Sequence, residues 1–345
     1  MRWSPACRKL RRSRSGVTTG SIRWTITWTI TGIRPTEGDD AVLDNRVENK
    51  LSVRAVGILI FAVLILAVLM MRATVAFAAG TVNVLYAGSL VNLMEHSIGP
   101  AFDKATGDTF QGFAGGSGLL ANQIKGKLRH GDVFISAVPK VNAALMGSAN
   151  GDWVSWYVGF AQSPLVIGYN PSSKFAADFR SKPWHQVLAE PGIRIGRTDP
   201  KLDPKGALTL ELMKQAETTY KMPDLSQKVL GAPDNPAQVL PEETLVGRLQ
   251  SGQLDVGFFY STETSDAKIP AIALPADIGP KASYTVTILR DAPNATGAEQ
   301  FVSFLLGADG QSLMKAHGMD VQKLALTGEA NSVPANIRSL VDKAK

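Results

Sequence analysis

Cysteine is nearly absent from this 345-residue chain: the only one, Cys7, lies near the N-terminus. Disulfides and thiolate chemistry are therefore excluded from the rest of the sequence. Histidine is scarce too. His96, His130, His185 and His317 are scattered, with no His-x-x-x-His or Cys pair at ligand spacing, so no metal-cation site is expected. There is no Gly-x-Ser-x-Gly elbow and no P-loop pattern. Aromatic residues make up 7% of the chain, and beyond residue 78 the basic residues do not interleave with them, which argues against single-strand nucleic-acid binding. An excess of positive charge is lacking as well, despite a formal net charge of +6. Twelve of the 36 Lys/Arg and five of the 30 Asp/Glu fall in residues 1–78, leaving 24 and 25 in residues 79–345. That part is near neutral and gives no argument for nucleic acid.

The chain opens with two segments unlike its remainder. Residues 1–50 are rich in Arg, Thr and Trp, and their alternating run Trp24–Ile30 is too short to bury a core. They read as an extension, either a mis-annotated start ahead of Val47 or Leu51 or a disordered tail. In residues 51–78, Lys50 and Arg54 flank an apolar run from Ala55 to Met71, and Ala76-Phe77-Ala78 follows. This is the pattern of a secretory signal cleaved after Ala78; the rival reading is an uncleaved membrane anchor. Both place residues 79–345 outside the cytoplasmic membrane, in the periplasm or extracellular space.

From residue 79 onward, short apolar runs alternate with segments of helical period. Strands are expected at 82–86, 109–113, 132–136, 164–169, 193–197, 254–260, 271–274 and 284–290. Helices are expected near 90–105, 118–128, 139–148, 206–220, 241–251 and 295–317. This rhythm predicts an α/β fold with largely parallel sheets. The stretch 151–169 reads as a passage between two lobes, and Tyr284–Leu289 as the return. The expected division is lobe 1 at 79–163, lobe 2 at 164–283, a return to lobe 1 at 284–325 and a tail at 326–345. A ligand cleft would lie between the lobes.

Val82–Leu90 ends an apolar run in Gly88-Ser89 and opens a helix, a seat for an anion. Gly88 lets backbone come close, and Ser89 adds an uncharged donor. Gly116-Ser117 repeats the device, and Asp132–Ala137 is a short strand ending at Ser136. In the second lobe, Asp203-Pro204-Lys205-Gly206 enters a helix; Asp203 either caps that helix or ligates the centre of an oxyanion. Glu242 and Glu243 suit a first helical turn electrostatically, so only their backbone N–H groups would serve an anion. Tyr260 ends an apolar strand, with its hydroxyl either on a ligand or at the surface.

As an ordered set, these motifs resemble the molybdate/tungstate-binding periplasmic proteins of ABC transporters. The set comprises Tyr86–Leu90, Gly116-Ser117 with Gln123-Ile124, Gly131–Ala137, Trp156-Tyr157 with Phe160-Ala161, Asp203-Pro204-x-Gly206, and Pro241–Leu245 through Ser251–Asp255 to Tyr260. The resemblance covers nearly all of 81–320. It implies the two-lobed periplasmic-binding-protein type II fold, no catalysis, no cofactor, a monomer, and a small oxyanion handed to a membrane permease. By position, Ser89 and Ser117 would donate hydroxyls, Lys205 and Glu242 backbone N–H groups, and Tyr260 its hydroxyl, with Gly88, Gly116 and Ser136 close by. In the branch that holds the metal centre octahedrally, two carboxylates are added. Asp203 matches one, while Phe259 stands where the other is expected. Sulfate or another oxyanion stays open, as do a periplasmic enzyme using the same cradle and a membrane-held sensor.

Overall fold

The computed structural model describes residues 80–344. The expected extension at 1–50 and the signal at 51–78 lie outside the described residues. β1 (Thr81–Ala87) alternates Val82, Val84 and Tyr86 into the main core with Leu85 into a second cluster on the opposite face. A strand buried on both faces needs apolar residues at both parities, which is what this run supplies. A helical stretch follows, with Gly88–Leu90 as its first turn and α1 (Gly99–Thr106) as its last regular part. β2 (Thr109–Gly115) and β3 (Val133–Ser136) both pair parallel with β1, and α2 (Ser117–Lys125) lies between them in sequence.

β4 (Trp156–Tyr169) is the strand that the two lobes share. Its first part pairs antiparallel with β8 (Lys281–Ile288) and β9 (Asp320–Gly328), and β8 in turn pairs with β3. Beyond Pro164, β4 pairs antiparallel with β6 (Val256–Tyr260) and β7 (Ala271–Ala273). β5 (Ile195–Gly196) extends this second sheet, parallel to β6. The sheets are thus mixed rather than largely parallel, because the crossing strand β4 and the returning strand β8 run against their neighbours. β8 lies wholly in the first sheet.

α3 (Pro204–Thr219), α4 (Leu245–Gln250) and α5 (Ser261–Asp266) belong to the second lobe. Helices α6 (Ala295–Leu306) and α7 (Ala308–Ala316) replace the single helix expected over 295–317, with extended Gly307 (φ −75°, ψ −179°) dividing them. The stretch from 326, expected as a tail, holds the end of β9 and α8 (Ala335–Lys343), whose Ile337 and Val341 are buried in the main core.

Asp255 shows how the second lobe holds its short parallel pair. Its carboxylate accepts from the Arg194 backbone N–H (2.9 Å), from Arg194 Nε (2.9 Å) and Nη2 (2.8 Å), and from Ser173 Oγ (2.8 Å). Burial alone would raise its pKa, but the Arg194 guanidinium and backbone N–H and the Ser173 hydroxyl hold it below the ordinary value. Asp255→Ala is expected to cost roughly 2–3 kcal/mol at pH 7, with the ion-pair share weakened by solvent around Arg194. A depressed folded pKa stabilises above the unfolded value near about 3.9 and is lost as pH falls through the folded one. The gap between wild type and variant in urea unfolding should therefore shrink on acidification.

Candidate functional site

The carboxyl ends of β1, β2 and β3 bring Ser89, Ser117 and Ser136 to one edge of the first sheet. Ser89 is buried and its Oγ lies 3.0 Å from Tyr284 Oη, a partner on β8. Ser117 is fully buried at the start of α2, where its Oγ accepts from the Ala137 N–H at 3.1 Å and ties the β3 end to the helix. Ser136 spends its hydroxyl locally, donating to the Val138 carbonyl (2.8 Å) and accepting from the Val138 N–H (3.2 Å). His317 pairs elsewhere, with Ser97 Oγ (2.8 Å) and the Asp266 carboxylate (3.0 Å).

The second lobe presents Asp203, Lys205, Glu242 and Tyr260. Asp203 is extended (φ −136°, ψ 130°) ahead of Pro204 and caps α3. Its Oδ1 accepts from the Lys205 N–H (2.7 Å) and from Thr198 Oγ1 (3.0 Å). The Lys205 backbone N–H is therefore occupied by the cap, and the residue reaches the site through its side chain. Lys205 Nζ is fully buried, 2.8 Å from Glu263 Oε1 and 3.1 Å from Glu242 Oε1. Glu263 Oε2 accepts from the Tyr260 N–H at 2.7 Å, tying the first turn of α5 back to the end of β6.

Three buried polar atoms are left without a donor or acceptor partner among the described residues at this place: Asp203 Oδ2, Glu242 Oε2 and Tyr260 Oη. Buried polar groups are almost always paired, so three unpartnered atoms on neighbouring residues set this place apart. The Glu242 carboxyl lies close enough to Asp203 to feel its charge. Burial, then the Asp203 charge, push its pKa well above the ordinary carboxylate value, with Lys205 opposing. Burial pulls the Lys205 ammonium down, but Glu242, Glu263 and Asp203 outweigh it and keep the group charged.

The Glu242 side chain faces this place, whereas the sequence pointed only to its backbone N–H. It stands where two hollows meet: one of about 420 Å³ bordered by Gly88, Ser89, Asn92 and Glu263, the other of about 250 Å³ bordered by Gly116, Thr198 and Asp203. Phe259, which occupies the position where the resemblance places a second carboxylate, is buried in the apolar cluster with Leu245 and Leu249. The lobes meet at glycines. A Cβ on Gly88 would lie 2.6 Å from Glu242 Oε2, and one on Gly116 would lie 2.8 Å from the Leu202 carbonyl. The Leu119 N–H bonds that carbonyl across the cleft at 2.9 Å.

The pattern shared by bacterial extracellular solute-binding proteins matches residues 82–320, most of the described chain. The chain belongs to this family. Among individual relatives of this solute-binding protein, the molybdate/tungstate-binding protein WtpA of Thermococcus kodakarensis is 26% identical over 349 residues, covering 84% of this chain and 97% of its own length. A solute-binding protein of Petrotoga mobilis, uncharacterized by its name, is 29% identical over 273 residues, covering 69% of this chain and 83% of its own. The solved periplasmic molybdate-binding protein of Azotobacter vinelandii superposes with a TM-score of 0.56 at 22% identity, over 70% of this chain and 99% of its own. That likeness establishes the fold: two α/β lobes of the periplasmic-binding-protein type II kind. The family is one of binding proteins rather than enzymes. Among the described residues, no helix is long and apolar enough to cross a membrane.

The sequence reading missed four contributors to this solute-binding protein's cleft: Thr198, Glu263, Tyr284 and the Lys205 side chain. Glu263 had a signal, as an acidic residue in the first turn of a helix, where the N-terminal dipole favours it. Tyr284 and the Lys205 ammonium had none, since their roles depend on partners far away in sequence.

Proposed function

We propose that this chain is the binding component of an ABC-type importer, exported through the segment at 51–78, and that it captures molybdate or tungstate between its lobes. Ser89, Ser117 and Tyr260 supply neutral donors, Gly88 and Gly116 allow close approach, and Asp203 and Glu242 supply oxygen ligands. The observation that carries this reading is the pair of buried, donor-free carboxylate oxygens, Asp203 Oδ2 and Glu242 Oε2, on residues that line one hollow, with the Tyr260 hydroxyl also left unpartnered. An ionised carboxylate cannot hydrogen-bond the oxygens of an oxyanion, because both sides only accept. It can bind the metal centre, since molybdenum and tungsten accept further oxygen ligands while the sulfur of sulfate does not. The names of relatives such as the Thermococcus protein point the same way.

A second reading, a cleft for sulfate or another tetrahedral oxyanion, draws on the raised pKa of Glu242, since a protonated carboxyl there would donate to an anion oxygen. Each charge-assisted contact is worth about 1.5–3 kcal/mol, so roughly five such contacts outweigh ordering costs and reach submicromolar affinity. The lobes would close by a hinge at the β4 crossing, since each side contributes part of the shell. Calorimetric titration of the purified chain with molybdate, tungstate, sulfate and phosphate tests this. The expected result is submicromolar binding of the first two and at least ~100-fold weaker binding of the others. Equal affinity for sulfate would remove the argument from the carboxylates, and no binding of any of the four would remove the oxyanion reading.

A further inference from the structure

Lys205 touches the site twice, and by different atoms. Its backbone N–H holds Asp203 Oδ1, and its ammonium holds Glu242 Oε1. In both carboxylates one oxygen is tied to Lys205 while the other, Oδ2 or Oε2, stays free of donors. The ammonium also grips Glu263 Oε1, and the other oxygen of Glu263 holds the backbone N–H of Tyr260. Both carboxylates with an unpartnered oxygen are thus tied to this one residue, which reaches the Tyr260 backbone through Glu263. The ammonium lies 5.3 Å from the centre of the Tyr260 ring, a favourable seat for a buried cation.

We propose that the Lys205 side chain is the positioning residue of the oxyanion site: it fixes Glu242 by one oxygen so that the other stays free for the guest, and it supplies the positive charge that lets a dianion sit among buried carboxylates. The inference rests on the oxyanion reading above and adds to it a built-in counter-ion, which a site made of neutral donors alone would lack. Without the ammonium, Asp203, Glu242 and Glu263 would face the guest with uncompensated negative charge. A carboxylate freed from Lys205 could also turn its oxygen away from the hollow. Compensation and aim therefore fail together when the side chain is removed, although the backbone N–H that caps with Asp203 is kept.

Lys205→Met tests this directly, because it deletes the ammonium, conserves bulk and leaves the backbone N–H in place. Wild type, Lys205→Met and Lys205→Arg are titrated with molybdate and sulfate, and folding is followed by circular dichroism. The expected result is a loss of at least ~100-fold in molybdate affinity for the Met variant, with the molybdate-to-sulfate ratio collapsing, and recovery to within ~10-fold of wild type for Arg, which keeps charge and donors. A folded Met variant that binds molybdate as wild type does would overturn the proposal. So would an equal loss for both anions that Arg does not repair, which would mean a merely structural role. Should Lys205→Met not fold, Lys205→Met with Glu263→Met, which removes the stranded carboxylate, is judged by the same ratio. If that pair fails to fold as well, Lys205 serves the fold and not the site, and the proposal falls. A wild type that binds none of the anions would instead strike at the oxyanion reading itself.

Discussion

Asp203→Asn combined with Glu242→Gln is expected to weaken molybdate binding by roughly 10²–10⁴-fold while leaving the protein folded. The figure comes from two contacts at about 1.5–3 kcal/mol each. Folding should survive because each replacement keeps the tied oxygen. Asn still caps α3 by accepting from the Lys205 N–H, and the Gln carbonyl still accepts from Lys205 Nζ. Only the free oxygens, Asp203 Oδ2 and Glu242 Oε2, change character, because an amide nitrogen cannot ligate a metal centre. Sulfate gives the contrast. If the carboxylates bind the metal, removing their charge should leave sulfate affinity unchanged or raise it while molybdate affinity drops. If they only repel, both anions should bind more tightly, and the ligand assignment fails. Stability has a sign of its own. The folded pKa of Glu242 is raised, so its contribution is fully present below the unfolded value near about 4.3 and is lost as pH rises through the folded one. Glu242→Gln removes that loss, so the variant should be at least as stable as wild type in alkaline thermal melts.

The parts of this site that the sequence made legible are those decided by neighbours along the chain. Gly88-Ser89 and Gly116-Ser117 are strand-to-helix turns whatever the rest of the molecule does, and Asp203 before Pro204 is a helix cap by local chemistry alone. What was not legible depends on distant partners. Ser89 meets Tyr284 across 195 positions, and Lys205 meets Glu263 across 58. Glu242 looked like an ordinary first-turn acid because its electrostatic fit to a helix start explained it without the cleft. Only the fold shows its carboxylate turned against Gly88. The strands divide in the same way. β1, which carries apolar residues at both parities, reads clearly, whereas β9 has more than half its residues exposed and mixes Gln and Lys into its pattern. β4 is longer than its sequence suggests because Pro164, which cannot donate to a ladder, sits where the strand passes from one sheet to the other.

Gly116→Ala together with Gly118→Ala is expected to leave the first lobe intact and to reduce molybdate affinity by about 10–100-fold, the worth of roughly one misplaced charge-assisted contact. Neither residue needs glycine for its backbone. Gly116 sits at φ −56° and ψ 129°, and Gly118 lies inside α2, where alanine is the better helix former by up to about 1 kcal/mol. Their smallness matters across the cleft instead. A Cβ at either position would come to 2.8 Å from the backbone carbonyl of Leu202, an atom that cannot swing aside as a side-chain tip does. Relieving the clash pushes Leu202 away from α2, breaks the 2.9 Å bond from the Leu119 N–H, and carries the adjoining Asp203 with it. The lobes would then stop short of the spacing at which donors from both sides touch one anion. Two measurements separate this from general damage: the melting temperature should hold or rise, while the heat of molybdate binding falls. A variant with unchanged affinity would show that the glycines serve only the packing of α2, and that the approach of Leu202 plays no part in holding the guest.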